Sequence, residues 1–229
     1  MRKLVYVPII HTSSDMGSLA QDLEIKAKKT VKATSWEKHK AIINNYWVEI
    51  ARYWKNKNVS GFKIFQDGMP VNGKVGKKIV VDLAKKGSFN YKIIEQLMKQ
   101  GAILMKTEDQ ALLKEEYFLT RALVKRGSFL GSLFALLHYK WRKGGLLAKR
   151  DNYIAKRIDE GLQEGETGIC FLGAYHQIKK YLSQDIKVIY LYDPQKVKVY
   201  YQRLIAHDRY GQINWLGSQL IKPITISIN

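Results

Sequence analysis

Cysteine is nearly missing from this chain of 229 residues: only Cys170 is present, inside an apolar run. One thiol excludes an intrachain disulfide and any cysteine-based zinc cluster. Acidic residues are also scarce, with 20 Asp and Glu against 39 Lys and Arg, which leaves a formal charge of +19. Such a charge attracts phosphate polymers, anionic membranes and acidic substrates, and says nothing about fold. Long hydrophobic runs are lacking as well: the stretch from Phe129 to Tyr139 is too short to span a bilayer. Gly73-Lys74-Val75-Gly76-Lys77-Lys78 lacks the Ser or Thr that completes a phosphate-binding loop. A GxSxG nucleophile elbow is absent too, which argues against a serine hydrolase of that type. No helix-turn-helix, zinc-finger, RNP or KH signature is found. The opening MRKLVYVPII contains Pro8 and lacks a small-residue cleavage site, so it reads as a first strand rather than a signal peptide. These features together predict a cytoplasmic protein.

What is present is a soluble, globular composition, 46% hydrophobic and 26% charged, long enough for one sizeable core. The pattern predicts a single α/β domain over 1–229 with a mainly helical portion at about 110–163. Strands are expected at Leu4 to Ile10, Gly61 to Phe65, Ala102 to Met105, Ile169 to Leu172 and Val188 to Tyr192. Between them, helical spacing marks a segment around Leu19 to Ile25, and Ser35 to Lys57, which places Trp36, Ile43, Trp47, Ile50 and Trp54 on one face. Helices also follow from about Asn90 to Lys99, from Arg150 to Gln163 and from Ile178 to Leu182. From Met69-Pro70 up to a helix led by Ser88 the chain reads as a loop with several glycines, and the helical portion breaks near Gly127 and Gly144-Gly145. Ile224, Ile226 and Ile228 alternate as an edge strand would.

Strands separated by helices imply parallel βαβ units and an open, mostly parallel sheet with helices on both faces, here with a helical insertion. Ligands of such sheets bind beyond the carboxyl ends of the strands. The first polar groups there are His11, Asp67, Glu108 with Asp109, and His176. Two imidazoles with carboxylates suit a divalent metal such as zinc, manganese or iron, with His11, His176 and Asp67 as ligands. Asp67 or Glu108 is then the candidate general base, and Arg150 a clamp for negative charge. Tyr175 adjoins His176 as a candidate substrate-binding residue.

Gly173-Ala174-Tyr175-His176 forms a GxxH motif that follows Arg150-Asp151-Asn152-Tyr153-Ile154-Ala155 across a helix and a turn. This order resembles the carboxyl half of the TraB/PrgY, Tiki, ChaN and EreA-like superfamily. In that group two GxxH motifs, an acidic residue after the second strand and a helix-opening Arg line one site. The resemblance places His176 in the second motif and Arg150 at the arginine. Pro8-Ile9-Ile10-His11 carries Pro where the first motif has Gly, and Asp67 stands where Glu is usual. The resemblance implies metal-dependent peptide or ester hydrolysis, or haem binding.

Two further readings come from the surface. Lys26, Lys28, Lys29 and Lys32, and a second cluster of Lys140, Arg142, Lys143, Lys149 and Arg150 beside Tyr139 and Trp141, suit nucleic acid through phosphate contacts and stacking. A non-catalytic ligand-binding protein of the same fold is the other. Phe129, Leu130, Leu133, Phe134, Leu136 and Leu137 make a helix apolar on most sides, suited to packing over the sheet, to an oligomer face or to an anionic membrane surface.

Overall fold

The computed structural model describes residues 1–10, 33–125, 130–205 and 212–228. His11, the helix expected around residues 19–25 and the lysines of residues 26–32 lie outside them. So do the side chains of residues 129–143, where the apolar helix and most of the second basic cluster were expected.

Among the described residues, five parallel strands form one sheet in the order β3-β2-β4-β1-β5. They are β1 (Arg2–Ile9), β2 (Lys63–Gln66), β3 (Ile103–Leu104), β4 (Thr167–Gly173) and β5 (Ile186–Tyr190). The long register between β1 and β4 runs from Lys3 opposite Thr167 to Ile9 opposite Gly173, so both strands end level. The helices are α1 (Ala33–Lys55), α2 (Gly73–Lys85), α3 (Phe89–Lys99), α4 (Gln110–Lys125), α5 (Leu130–Gly161), α6 (Pro194–Ile205) and α7 (Gln212–Leu220). The open α/β sheet inferred from the strand and helix pattern is therefore the architecture of the protein.

Alternation along the central strands divides the core between the two faces of the sheet. Val5, Val7, Ile9, Ile64, Ile169 and Phe171 point to one side, where Ile43, Trp47, Ile50 and Trp54 of α1 meet them. Leu4, Tyr6, Phe65, Cys170 and Leu172 point to the other, against Ile154, Ile158 and Leu162 of α5. Both faces being covered explains why β1 and β4 read as continuous apolar runs. Gly168 suits this close approach: a Cβ there would lie 3.0 Å from Leu4 Cδ1 and 3.2 Å from Phe65 Cε2, so those side chains would have to shift to admit it. Phe171 is fully buried, and its truncation to Ala is worth about 3–5 kcal/mol on the scale of large core deletions.

Four local expectations are corrected. Residues 73–85, expected as the rest of a glycine loop, form α2, whose Gly76, Val80 and Ala84 are buried. The helix α5 runs through Gly144-Gly145 without a break, so Arg150 lies well inside a helix instead of opening one. The helix expected from Ile178 to Leu182 is a short 3-10 turn at Ile178–Lys180. Residues 223–228 form no strand, because that segment has no ladder partner. Ser88, by contrast, caps α3 as its position suggests, accepting a hydrogen bond from the Tyr91 N–H at 3.3 Å.

Candidate functional site

Each polar group after a strand is fixed by main-chain bonds at the carboxyl edge of the sheet. The Asp67 N–H donates to the Phe171 carbonyl at 2.8 Å, extending the β2–β4 pairing by one residue. Thr107 and Glu108 donate their N–H groups to the Met69 carbonyl at 2.9 and 3.0 Å. The Gln66 N–H is received by Thr107 Oγ1 at 3.0 Å, which ties the ends of β2 and β3 together. After β4 the chain turns tightly, the His176 N–H donating to the Gly173 carbonyl at 3.0 Å. Over this edge lies α5, and consecutive positions 150 and 151 reach two sides of the same cluster.

Arg150 is the hub. Its Nη2 donates to Asp67 Oδ1 at 2.6 Å and, very closely, to Glu108 Oε1, while Nε donates to Glu108 Oε2 at 3.2 Å. Its Nη1 donates to Glu116 Oε2 at 2.5 Å. The Arg150 side chain is 4% exposed and that of Glu108 0%, so this is a buried, two-pronged ion pair rather than a surface charge.

His176 is held between two carboxylates. Its Nδ1 lies 2.5 Å from Asp151 Oδ1, and the second oxygen of Asp151 accepts the Gln177 N–H at 2.9 Å. Its Nε2 faces Asp67 Oδ2 at 3.4 Å, and that oxygen also accepts the Gly173 N–H at 3.1 Å. Asp67 therefore joins the two halves, one oxygen turned to the guanidinium and the other to the imidazole. Tyr6 donates its hydroxyl to the Gly173 carbonyl at 3.2 Å, beneath the same turn.

The electrostatics follow from burial and charge count. Four carboxylates, Asp67, Glu108, Glu116 and Asp151, surround two cationic side chains. Burial works against a charged imidazole, but Asp67 and Asp151 outweigh it and push His176 up to about 10. At neutral pH it is an imidazolium. Burial pushes Glu108 up to about 7, against the hydrogen bond from Arg150 and with the negative charge of Asp67. Arg150 is raised further above its ordinary value because Asp67 and Glu108 overcome its burial. Desolvation, reinforced by Asp67 and Glu108, pushes the Cys170 thiol far up, consistent with an inert, buried cysteine.

Asp67, Glu108 and His176 thus converge, as the strand-end rule predicts, and Arg150 reaches them from inside α5. His11 is outside the described residues, although Ile9 pairs with Gly173, so β1 ends beside the turn that carries His176. Asp109 departs from the cluster and caps α4, accepting from the Ala111 and Leu112 N–H groups at 2.8 and 3.1 Å. Tyr175 is 46% exposed on the outer side of the turn, with the Lys198 ammonium 5.4 Å from its ring centre. Asp151 and Glu116 are the members that sequence reasoning missed. The Arg150-Asp151 pair was visible, yet nothing in its spacing says that the aspartate turns toward residue 176.

A cleft of about 800 Å³ opens from His176 along the ends of β4 and β5. Among the described residues no group of three or more His, Cys, Asp and Glu side chains is placed to hold a metal ion. The donors that face each other are Asp67 Oδ2 and His176 Nε2, one short of the three protein ligands usual for a catalytic zinc. No helix among the described residues is long and apolar enough to cross a membrane. Comparison with known proteins finds no matching family profile, curated protein or solved structure.

Proposed function

We propose that the chain is a hydrolase of ester or peptide bonds, acting at the carboxyl ends of β2, β3 and β4. The observation that carries this reading is the junction at Asp67, one oxygen on buried Arg150 and the other facing an imidazole that lines an open cleft. The resemblance of residues 150–176 to the TraB, Tiki, ChaN and EreA-like superfamily supports the same class.

The chemistry uses the chain's own groups. Asp67 accepts a proton from water as the water oxygen bonds to the substrate carbonyl carbon, and the His176 imidazolium donates its Nε2 proton to the departing oxygen or nitrogen. The acyl–oxygen or acyl–nitrogen bond breaks, giving a carboxylic acid and an alcohol or amine. The proton on Asp67 then returns to His176 across the 3.4 Å gap, restoring both groups. Asp151 keeps the imidazole oriented, and Arg150 with Glu108 holds Asp67 in place. Should a divalent metal take part, as the sequence pattern suggested, Asp67 and His176 are the described residues that would hold it. It would supply Lewis acidity toward the carbonyl.

The test is turnover of 4-nitrophenyl acetate and of a mixed peptide library by wild type, Asp67→Asn and His176→Gln, each with EDTA or with added zinc or manganese. Wild-type hydrolysis that falls at least a hundredfold in both variants is the expected result. Stimulation by zinc or manganese that disappears in the same variants adds the metal to the reading. No turnover of any substrate under all conditions, or full activity in both variants, overturns it.

A further inference from the structure

The cleft beside His176 has a composition that hydrolysis of a plain ester does not require. Lys179, Lys180, Lys196 and Lys198 line it, against Asp193 as the one carboxylate among its described lining residues. That carboxylate is engaged at the start of α6, where it accepts the Gln195 N–H at 2.8 Å. Among the described residues no carboxylate lies within ion-pair distance of any of the four ammonium groups. Four like charges gathered around one concavity repel one another unless an anion enters.

Aromatic rings share the same walls. Tyr175 is exposed beneath Lys198, and Tyr190, with its ring centre 5.4 Å from that of Tyr6, forms part of the floor. Exposed tyrosine faces next to ammonium groups suit a ligand that presents a flat ring and a negative charge together. The volume of about 800 Å³ is that of a small-molecule site.

We propose that this cleft is the substrate's recognition site and takes an ester or amide that carries a phosphate or carboxylate group beside an aromatic ring. The anion is held by Lys196 and Lys198, the ring lies against Tyr175, and the scissile bond is directed to the His176 end of the cleft. This inference rests on the hydrolase reading for its orientation, but binding is measurable without turnover.

Calorimetric titration of the full chain with phenyl phosphate, benzoate, inorganic phosphate and phenol separates the contributions. Phenyl phosphate or benzoate should bind at least tenfold more tightly than inorganic phosphate and than phenol, and the stronger of the two identifies the anion. Lys196→Met and Lys198→Met should each weaken that binding about fivefold, the effect of one partly exposed charge-assisted contact. Lys77→Met, exposed on α2 at the opposite edge of the sheet, should leave it unchanged. Asp67→Asn should abolish hydrolysis while binding persists. Binding of neither aromatic anion, or binding indifferent to both lysine variants, overturns the assignment even where 4-nitrophenyl acetate is hydrolysed. Retained binding without any hydrolysis would uphold the cleft and remove the hydrolase reading.

Discussion

Arg150→Met tests the electrostatic frame of the site most directly, because among the described residues the guanidinium is the cation hydrogen-bonded to the fully buried Glu108. Removing one partner of a buried ion pair leaves the other charge without compensation, at a cost of about 3–5 kcal/mol. The contact with Glu116 adds little, since that carboxylate is 33% exposed and exposed pairs contribute under about 1 kcal/mol. Loss of the bond to Asp67 adds about 1 kcal/mol, so the single substitution should destabilise the protein by about 4–6 kcal/mol at pH 7. Replacing both partners by apolar groups is far gentler: Arg150→Met with Glu108→Leu should cost only about 1–2 kcal/mol, because no buried charge is stranded between them.

The deficit also has a pH signature. Glu108 is already raised from 4.5 to about 7, and without Arg150 it rises further. A carboxyl whose folded value is raised binds its proton more tightly when folded, so stability grows as pH falls through the folded value and levels off below the unfolded one. The Arg150→Met deficit should therefore be larger at pH 8 than at pH 5. Urea unfolding followed by circular dichroism at both pH values measures it. A deficit under about 1 kcal/mol, equal at the two pH values and additive with Glu108→Leu, would refute the reasoning.

Two other outcomes are expected. His176 is raised from 6.5 to about 10, so its contribution is complete below pH 6.5 and lost as pH climbs toward 10; wild-type stability should decline over that window and His176→Gln should flatten the decline, read by urea midpoints at half-unit steps. If the +19 charge serves nucleic acid through lysine contacts, anisotropy with a mixed-sequence oligonucleotide should show affinity falling steeply from low to moderate salt; binding gone by about 150 mM marks the charge as a nonspecific surface property.

The gathering of Asp67, Glu108 and His176 was legible in the chain because it follows from topology; Arg150 joins them from inside α5, which strand order alone does not dictate. Parallel strands that end in polar residues must present them along one edge, whatever the helices do. What the helices do was less legible. Gly73 and Gly76 look like loop residues, yet both lie in α2, and a Cβ at Gly76 would sit 3.0 Å from Leu104 Cδ2 and from the Val71 carbonyl oxygen. Glycine at that position serves close packing of helix on strand, a cause that composition cannot separate from a turn. At Gly144 and Gly145 a Cβ would meet nothing within 4 Å, so neither glycine is required there. Each costs the helix about 1 kcal/mol, and the continuous α5 on both sides absorbs it.

Pairing inside the cluster was illegible for a different reason. Arg150 is 83 residues from Asp67 and 42 from Glu108, and His176 is 25 from Asp151. Spacing cannot decide which acid meets which base when every choice closes a long loop. The outcome nevertheless governs the chemistry. Two prongs of Arg150 occupy both oxygens of Glu108 and a third contact takes one oxygen of Asp67. Glu108, a candidate base by position, is thereby committed to holding the arginine and is wholly shut from solvent. Asp67 Oδ2 and His176 Nε2 face each other at 3.4 Å, and Asp151 fixes the imidazole from behind. Had Arg150 paired with Asp151 instead, His176 would lose the carboxylate that aims its ring and one of the two that favour its proton. Asp67 alone would then face the ring, with nothing to orient it from behind.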